Sequence, residues 1–154
     1  MTTTVASAPG KIVVTGEYAV LNGAPAIAMA VDRRVQVTVR SIDKPADDQT
    51  HTFEAPGFLD GTFRFRQRGA DFQWLDAAPV TNGFALFESI LAEASPEREK
   101  PRAYSVDTRA FHDPESGNKL GLGSSAAVAV ALAGACSQTL DSGLVAAKLA
   151  ATAH

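Results

Sequence analysis

The most informative part of this chain is the stretch Asn118-Lys119-Leu120-Gly121-Leu122-Gly123-Ser124-Ser125-Ala126-Ala127. Its two glycines can adopt positive φ and let a ligand approach the backbone closely. The two serines that follow are typical of a helix start, where N–H groups lack an intrahelical partner and the helix dipole attracts anions. The residues leave two interpretations open: a phosphate-binding loop, or a glycine-rich turn that leads into a buried helix.

Two known phosphate-binding patterns fit this stretch poorly. The P-loop pattern G-x-x-x-x-G-K-[ST] needs a lysine after the glycines, whereas Lys119 precedes them. The Rossmann pattern G-x-G-x-x-G/A is matched literally by Gly121, Gly123 and Ala126. That pattern should follow directly on a strand, but residues 112–118 are polar and predict a loop. A dinucleotide-binding oxidoreductase is therefore disfavoured, although Asp141 lies at the distance of a ribose-binding acid.

The composition is that of an ordinary globular domain. The 154 residues are 45% hydrophobic and 20% charged, and a domain of this length buries roughly 70% of its unfolded surface. The net charge of −3 argues against a nucleic-acid partner. Cys136 is the single cysteine, so neither an internal disulfide nor a zinc site is expected. Residues 1–7 do not resemble a signal peptide, and residues 126–136 are too few to span a membrane. We therefore expect a cytoplasmic protein without a membrane partner.

Strands and tight turns are predicted for the beginning of the chain. Val5–Ser7 is expected to form a short edge strand, and Ala8–Lys11 a turn. Ile12–Val14 is a β-branched run, which is typical of a buried strand. Asn22-Gly23 is a strong turn signal. Val35–Val39 alternates apolar and polar residues, as a half-buried strand does.

The middle of the chain predicts a meander followed by a helix. Three short strands are expected at His51–Glu54, Thr62–Arg66 and Phe72–Leu75, with turns at Pro56-Gly57 and Asp60-Gly61. The apolar period then becomes helical over residues 82–94. Four apolar side chains share one face of this helix: Phe84, Phe87, Ile90 and Leu91.

The last third of the chain is predicted to be mostly helical. After a strand at Tyr104–Asp107, a buried helix is expected at Ser124–Thr139 and a last helix at Leu144–Ala153. Strands that come first, with helices later and irregularly interleaved, predict an α+β fold rather than a regular βαβ repeat. Because the sequence ends inside the last helical pattern, we expect a truncated chain.

Two segments together resemble motifs 1 and 2 of the GHMP kinase superfamily. The first is Ala8-Pro9-Gly10-Lys11-Ile12-Val13-Val14-Thr15-Gly16-Glu17-Tyr18-Ala19-Val20-Leu21, and the second is Lys119–Ala127. Their order and separation also match. Tyr18 and Lys119 make the chain resemble the phosphomevalonate kinases more than the mevalonate kinases. Galactokinases resemble it less, because they carry arginine at the place of Lys11.

The resemblance implies a domain like ribosomal protein S5 domain 2, in which helices back a mixed sheet. Residues 1–154 would form this N-terminal, ATP-binding domain, with Ile12–Val14 beside the phosphate loop. The superfamily's C-terminal domain has no counterpart in the sequence. Its catalytic aspartate and its acidic magnesium ligand would also lie beyond the sequence, so we expect weak nucleotide binding without turnover.

The activity implied by the resemblance is transfer of the γ-phosphate of ATP, with Mg²⁺, to 5-phosphomevalonate. Lys11 is the implied catalytic residue, since its cation can offset charge on the transferred phosphoryl group. Glu17 and Tyr18 are implied on the acceptor side. The implied ATP phosphate-binding residues, of which Ser125 is also the implied Mg²⁺ ligand, are Lys119, Gly121, Leu122, Gly123, Ser124, Ser125 and Ala126.

Each assignment has a simpler structural alternative. Lys11 and Lys119 can be solvated lysines, Ser124 can be only a helix cap, and Glu17 and Tyr18 can simply pack a turn. The partners expected are ATP and a small anionic acceptor, phosphomevalonate or mevalonate, with a homodimer possible. The alternatives left open are a kinase for mevalonate, homoserine or a sugar, and a non-catalytic S5-like domain.

Overall fold

The computed structural model describes residues 2–43, 50–68, 71–76, 82–94 and 100–137. In these ranges six strands form one sheet: β1 Thr3–Thr15, β2 Ile27–Ser41, β3 His51–Ala55, β4 Leu59–Arg68, β5 Asp71–Trp74 and β6 Arg102–Asp107. The helices are α1, Asn82–Ala94, and α2, Ser124–Ser137, with short 3-10 turns at Ala19–Asn22 and Arg109–Phe111. This arrangement confirms the α+β class. The predicted helix Leu144–Ala153 and Asp141 lie outside the described residues, and no helix inside them is long and apolar enough to cross a bilayer.

The sheet is mixed, with the strand order β1-β2-β6-β3-β4-β5. Strands β3, β4 and β5 pair antiparallel in sequence order, which confirms the predicted meander. Strand β6 inserts between β2 and β3, antiparallel to the former and parallel to the latter. The chain therefore returns to the centre of the sheet just before the segment that leads into the glycine stretch.

Alternation along the strands places one face of the sheet in the core. Val35, Val37 and Val39 of β2 are buried while Gln36 is exposed, as predicted for a half-buried strand. Helix α2 packs on the face formed by β1 and β2. Its core-facing side consists largely of small residues, which permit a close approach, and Leu132 and Cys136 on that side are fully buried. This packing fixes the start of α2 relative to β1.

Aromatic side chains join α1 to the other end of the sheet. The rings of Phe53 and Phe87 lie 4.3 Å apart, and those of Phe65 and Phe87 lie 5.6 Å apart edge-on. The indole Nε1–H of Trp74 donates a hydrogen bond of 2.6 Å to a carboxylate oxygen of Glu88 on α1. The four side chains predicted for the apolar face of α1 are all buried. The helix prediction for residues 82–94 is therefore confirmed.

Two predictions for the beginning of the chain are wrong. Ala8–Lys11 is no turn, because β1 continues through it with only a shift of register between Pro9 and Gly10. Ile12–Val14 lies in a strand, as expected, but Ile12 is 41% and Val14 55% exposed. The β-branched residues predicted a strand correctly, but they did not determine whether other residues cover that strand. Similarly, Asp60-Gly61 lies inside β4 rather than in a turn before it.

Candidate active site

The glycine stretch forms a loop that opens α2. Gly121 and Gly123 both have φ of +69°, a region that glycine enters without strain. The carbonyl of Gly123 accepts the first helical hydrogen bond, from the N–H of Ala127 at 3.2 Å. Gly123 is therefore the N-cap and Ser124 the first helical residue, so Ser124 is not the cap. The N–H groups of residues 123–126 have no intrahelical acceptor in such a geometry, and this set of N–H groups, the cradle, has the partial positive charge that attracts anions.

Lys11 lies directly against this loop. Its backbone N–H donates a 2.9 Å hydrogen bond to the carbonyl of Leu122. A Cβ atom added to Gly123 would lie 3.1 Å from Lys11 Cγ and 3.3 Å from Lys11 Cε. The aliphatic stem of Lys11 therefore crosses the loop at Gly123, at the N-terminus of α2. Strand β1 thus lies beside the glycine loop, as the resemblance implied.

Gly10 makes this close approach of strand and loop possible. A Cβ atom at Gly10 would lie 2.8 Å from the Leu122 carbonyl oxygen and 2.8 Å from the ring of Phe111. Real Cβ atoms do not approach backbone so closely, so a larger residue would push the loop away from β1. The packing of Phe111, which is fully buried, completes the support behind the loop.

The turn after β1 carries Glu17 and Tyr18. Gly16 has φ of +86°, and a Cβ atom there would lie 2.5 Å from the carbonyl oxygen of Pro25, so this position requires glycine. The carbonyl of Gly16 accepts a 2.9 Å hydrogen bond from Val20 N–H. Both Glu17 and Tyr18 are exposed. Within the described ranges, no hydrogen bond joins either side chain to the glycine loop, so the structure does not bring them together with it.

Lys119 comes just before the loop, at the end of a short hairpin. Residues His112 and Lys119 form an isolated antiparallel β-bridge. Inside the hairpin, the backbone N–H of Ser116 donates a 2.7 Å hydrogen bond to Asp113 Oδ1. This bond, and that from the Ser116 hydroxyl, hold the pKa of Asp113 below its usual range. Lys119 is exposed and lies at the edge of a cavity.

The cavity beside the loop has a volume of about 170 Å³. Its wall is mainly apolar and aromatic, with contributions from β3, β6, α1 and α2, and the polar groups lie on the loop side. The apolar lining includes Phe53, Phe58, Phe84, Phe87, Val106 and Val128, and the polar lining consists of Thr108, His112, Lys119, Ser124 and Ser125. An apolar cavity that adjoins an anion cradle can accept a flat ring carrying a phosphate chain.

An ion pair lies close to this cavity. The guanidinium of Arg109 contacts the carboxylate of Asp107 at 2.5 Å. The hydrogen bond from Arg109 holds the pKa of Asp107 below its usual range. Between them, Thr108 uses its hydroxyl to donate a hydrogen bond of 3.2 Å to the Pro56 carbonyl. These contacts attach the end of β6 to the turn that carries Phe58.

Sequence reasoning missed the cavity and with it the positions of Phe58 and His112. Phe84 and Phe87 were expected only as core residues of α1, since helical spacing does not distinguish a core face from a cavity wall. Phe58 follows Pro56-Gly57 in a turn and is 47% exposed. A large aromatic residue in a turn was the available signal. His112 had no patterned neighbours, and its place is set by the bridge to Lys119, by its N–H bond to the Arg109 carbonyl and by a 3.3 Å contact of Nδ1 with the Thr108 carbonyl.

Two curated relatives match most of the chain. The mevalonate kinase of Pyrococcus furiosus is 32% identical over 153 residues, which are 97% of this chain and 43% of the relative. The phosphomevalonate kinase of Streptomyces sp. strain CL190 is 37% identical over 139 residues, which are 84% of this chain and 36% of the relative. The chain thus spans less than half the length of these relatives. No protein-family model matches it.

Solved structures share the fold. The mevalonate kinase of Methanococcus jannaschii aligns with a TM-score of 0.66 at 18% identity, over 97% of this chain and 44% of that one. The Lin0012 protein of Listeria innocua aligns with a TM-score of 0.66 at 24% identity, over 90% of this chain and 37% of that one. At these identities the likeness concerns the fold, and it agrees with the S5-like architecture that was expected. Over most of its length the chain is thus similar in sequence to mevalonate kinase and phosphomevalonate kinase, in agreement with the resemblance to the GHMP kinase superfamily that its two motifs carry.

Proposed function

We propose that residues 1–154 are the ATP-binding portion of a kinase that transfers the γ-phosphate of ATP to a small anionic acceptor, with 5-phosphomevalonate favoured. One observation carries the proposal: the stem of Lys11 crosses Gly123 where the helix α2 presents its unpaired N–H groups. A cation and an N–H cradle at one point match the charge of a nucleotide polyphosphate. Support also comes from the relatives, which are kinases.

The cradle would hold the β- and γ-phosphates through backbone N–H groups of Gly121 to Ala126. Phosphoryl transfer depends on positioning and charge neutralisation more than on covalent chemistry by the protein. Backbone donors at a helix start are fixed by the fold, so they need no reorganisation when charge develops. The hydroxyl of Ser124, which is largely buried, would contact a phosphate oxygen from the same side.

Lys11 would neutralise charge on the transferred phosphoryl group. Its stem lies across Gly123, and its backbone is hydrogen-bonded to the loop. The ammonium group is therefore carried on a stem that already lies against the loop near the start of α2. Lys119, which lines the cavity beside the loop, would supply a second cation.

The donor set fits a magnesium ion that is bound mainly by the nucleotide. Ser125 offers an exposed hydroxyl at the start of α2, beside the cavity. The described residues contain no cluster of three or more acidic, histidine or cysteine ligands, and Mg²⁺ in such sites commonly has one or two protein ligands besides phosphate oxygens and waters. When bound, the ion would neutralise phosphate charge and orient the terminal phosphoryl group. The role of the protein in binding the ion would be to orient the hydroxyl of Ser125.

The aromatic cavity would accept the base of the nucleotide. Phe53, Phe84 and Phe87 line it, together with Ser124 and Ser125. A base seated among these rings has its phosphates directed along the polar side of the cavity, toward the glycine loop. The ring contacts would contribute affinity with little selectivity for the base, because stacking is available to every base.

The acceptor would bind on the side of Glu17 and Tyr18. These residues lie in the turn that follows β1, a few residues beyond Lys11. Their exposure leaves them available to a ligand or to further polypeptide. A homodimer and a cytoplasmic location belong to the proposal as well.

Thermal unfolding of the 154-residue chain with Mg-ATP, Mg-ADP and NAD tests the nucleotide part of the proposal. A ligand that binds only the folded state stabilises it by about 2.7 kcal/mol at a hundredfold excess over its dissociation constant. We expect stabilisation by Mg-ATP and Mg-ADP that is reduced in Ser125→Ala. Ser89→Ala is the control, because its hydroxyl is bonded to the Ala85 carbonyl inside α1. Stabilisation by NAD alone, or by no nucleotide, would refute the proposal.

Mevalonate is the second candidate acceptor, and a specific observation favours it. The Pyrococcus furiosus mevalonate kinase matches 97% of this chain, against 84% for the Streptomyces phosphomevalonate kinase. Titration of the Mg-ADP-loaded chain with phosphomevalonate, mevalonate, homoserine and galactose would separate the two acceptors. We expect phosphomevalonate to bind most tightly, because Lys11 and Lys119 favour an acceptor that carries a phosphate.

A further inference from the structure

The segment Phe111–Leu120 is a closed hairpin placed between β6 and the glycine loop. The N–H of Leu120 donates to the Phe111 carbonyl at 2.9 Å, and the N–H of Asp113 donates to the Asn118 carbonyl at 2.8 Å. Between these bonds, His112 and Lys119 are bridge partners. The backbone of Lys119 is therefore fixed opposite His112, and both residues line the cavity.

The carboxylate of Asp113 organises the tip of this hairpin. Its Oδ1 atom accepts hydrogen bonds from Ser116 N–H at 2.7 Å, from the Ser116 hydroxyl at 2.9 Å and from Glu115 N–H at 3.2 Å. The Ser116 hydroxyl oxygen in turn accepts a 3.3 Å bond from Asn118 N–H, one residue before Lys119. A continuous path of hydrogen bonds thus runs from Asp113 to the residue next to Lys119.

The charge of Asp113 is stabilised by its surroundings. The Ser116 N–H bond is the main cause of its lowered pKa, and the positive charge of Arg33 on β2 adds a smaller contribution. Hydrogen bonds from N–H groups to an ionised carboxylate are stronger than those to a neutral acceptor. Asp113 therefore remains an acceptor for the hairpin tip at neutral pH.

We propose that Asp113 is a positioning residue that holds Lys119 ready for the phosphate chain of a nucleotide. The inference rests on the proposed function, because it gives the cavity-facing lysine a polyphosphate partner. A lysine on an unrestrained loop would lose backbone and side-chain freedom on binding, and a fixed hairpin removes the backbone part of that cost beforehand. Asp113 touches no ligand in this assignment and acts through the hairpin.

A double-mutant cycle on the full 154-residue chain tests the coupling, with dissociation constants measured by calorimetry for Mg-ATP and for adenosine. Lys119→Ala should lower the affinity for Mg-ATP about tenfold, which is the effect expected for the loss of one charge-assisted hydrogen bond. Asp113→Ala should weaken the binding of Mg-ATP nearly as much and leave the affinity for adenosine unchanged. In the Lys119→Ala background it should cause little further loss of Mg-ATP affinity. Asp113→Asn should restore most of the affinity, because the amide oxygen can accept the same bonds. Glu115→Ala is the control, since it removes the same charge from the same hairpin.

Several results would overturn the proposal. The first is an Asp113→Ala variant that binds Mg-ATP as tightly as the wild type. The second is a double variant whose loss of affinity equals the product of the two single losses. The third is an Asp113→Asn variant that binds Mg-ATP as weakly as Asp113→Ala. Amide hydrogen exchange of residues 116–120 in the nucleotide-free chain gives a separate readout. Exchange there should be faster in Asp113→Ala than in Glu115→Ala, and equal rates would contradict the positioning role. If the wild-type chain does not bind Mg-ATP, the proposed function fails, while the exchange experiment still tests the hairpin.

Discussion

Gly123 combines a positive φ with close contact to Lys11. Its φ is +69°, and a Cβ atom there would lie 3.1 Å from the stem of Lys11. We predict that Gly123→Ala weakens Mg-ATP binding at least tenfold, because the added methyl group displaces Lys11 or opens the cradle. Left-handed backbone at a non-glycine residue also costs about 1–2 kcal/mol of stability. Calorimetric titration with Mg-ATP, together with urea unfolding, measures both effects.

Gly23→Ala is the control for this substitution. Gly23 has φ of +82°, also in the left-handed region, but no atom lies within 4 Å of an added Cβ. Its cost in stability should therefore resemble that of Gly123→Ala, while the affinity for Mg-ATP should fall much less. Equal losses of affinity in the two variants would mean that backbone strain, and not contact with Lys11, explains the result.

Asp107 should make the stability of the chain depend on acid pH. Its folded-state pKa is lowered, chiefly by the hydrogen bond from Arg109. The unfolded chain then binds the proton more readily, so this contribution is fully present above the unfolded pKa of about 3.9 and is lost as pH falls through the folded value. Asp107→Asn should lower the free energy of unfolding at pH 7, and its difference from wild type should shrink in acid. Asp71→Asn, an exposed carboxylate of β5, is the control in urea titrations across this range.

Helix α2 derives its stability from one buried side. Leu132 is fully buried, whereas Val130, two residues earlier, is 65% exposed. Leu132→Ala should cost about 2–5 kcal/mol through lost burial and the cavity left behind. Val130→Ala, as a control on the same helix, should change stability by no more than about 0.5 kcal/mol. Similar losses in chemical denaturation of the two variants would contradict the burial described here.

Strand β1 shows which elements local sequence can predict. Helix α1 and the meander were predicted correctly, because their apolar periods persist over several residues. The expected turn at Ala8–Lys11 was wrong, because an edge strand tolerates Pro9 and because Gly10 is required by distant residues. The Leu122 carbonyl and the Phe111 ring occupy the space that a Cβ at Gly10 would need. Contacts made across more than one hundred positions leave no local pattern other than the glycine itself.

Only part of the candidate site could be predicted from the sequence, for the same reason. The glycine loop and the approach of β1 to it followed from two motifs, and the positive φ values at Gly121 and Gly123 agree with that interpretation. The cavity did not follow, since its wall is assembled from four elements that are separate in the chain. The hydrogen bonds of Asp113 could not be predicted either, because a polar loop sequence indicates exposure but not which side-chain oxygen accepts the hydrogen bonds of the loop.

At the scale of the whole molecule, the far halves of β1 and β2 form a ribbon that extends beyond the rest of the sheet. Strand β6 pairs with β2 only from Gln36 to Ser41, whereas β1 and β2 remain paired from Gly10 to Thr15. Ile12 lies opposite Met29, Ile27 lies on the same face of β2 as Met29, and Val14 lies at the register shift between Val13 and Thr15. All four side chains are exposed. This contiguous apolar surface lies next to Lys11, and therefore next to the proposed site.

Such a surface should make the 154-residue polypeptide self-associate. Contiguous exposed apolar residues on an edge ribbon favour contacts between copies. The double variant Ile27→Lys/Met29→Lys places two charges on the β2 strand of this ribbon, and we expect it to remain monomeric at concentrations at which the wild type forms larger species in sedimentation velocity. Val5→Lys is the control, because Val5 is also an exposed apolar residue of β1, at 51%, but lies outside the ribbon. If Val5→Lys suppressed association as strongly, the cause would be the added charge on the edge strand. If the double variant still associated like wild type, another surface would be responsible.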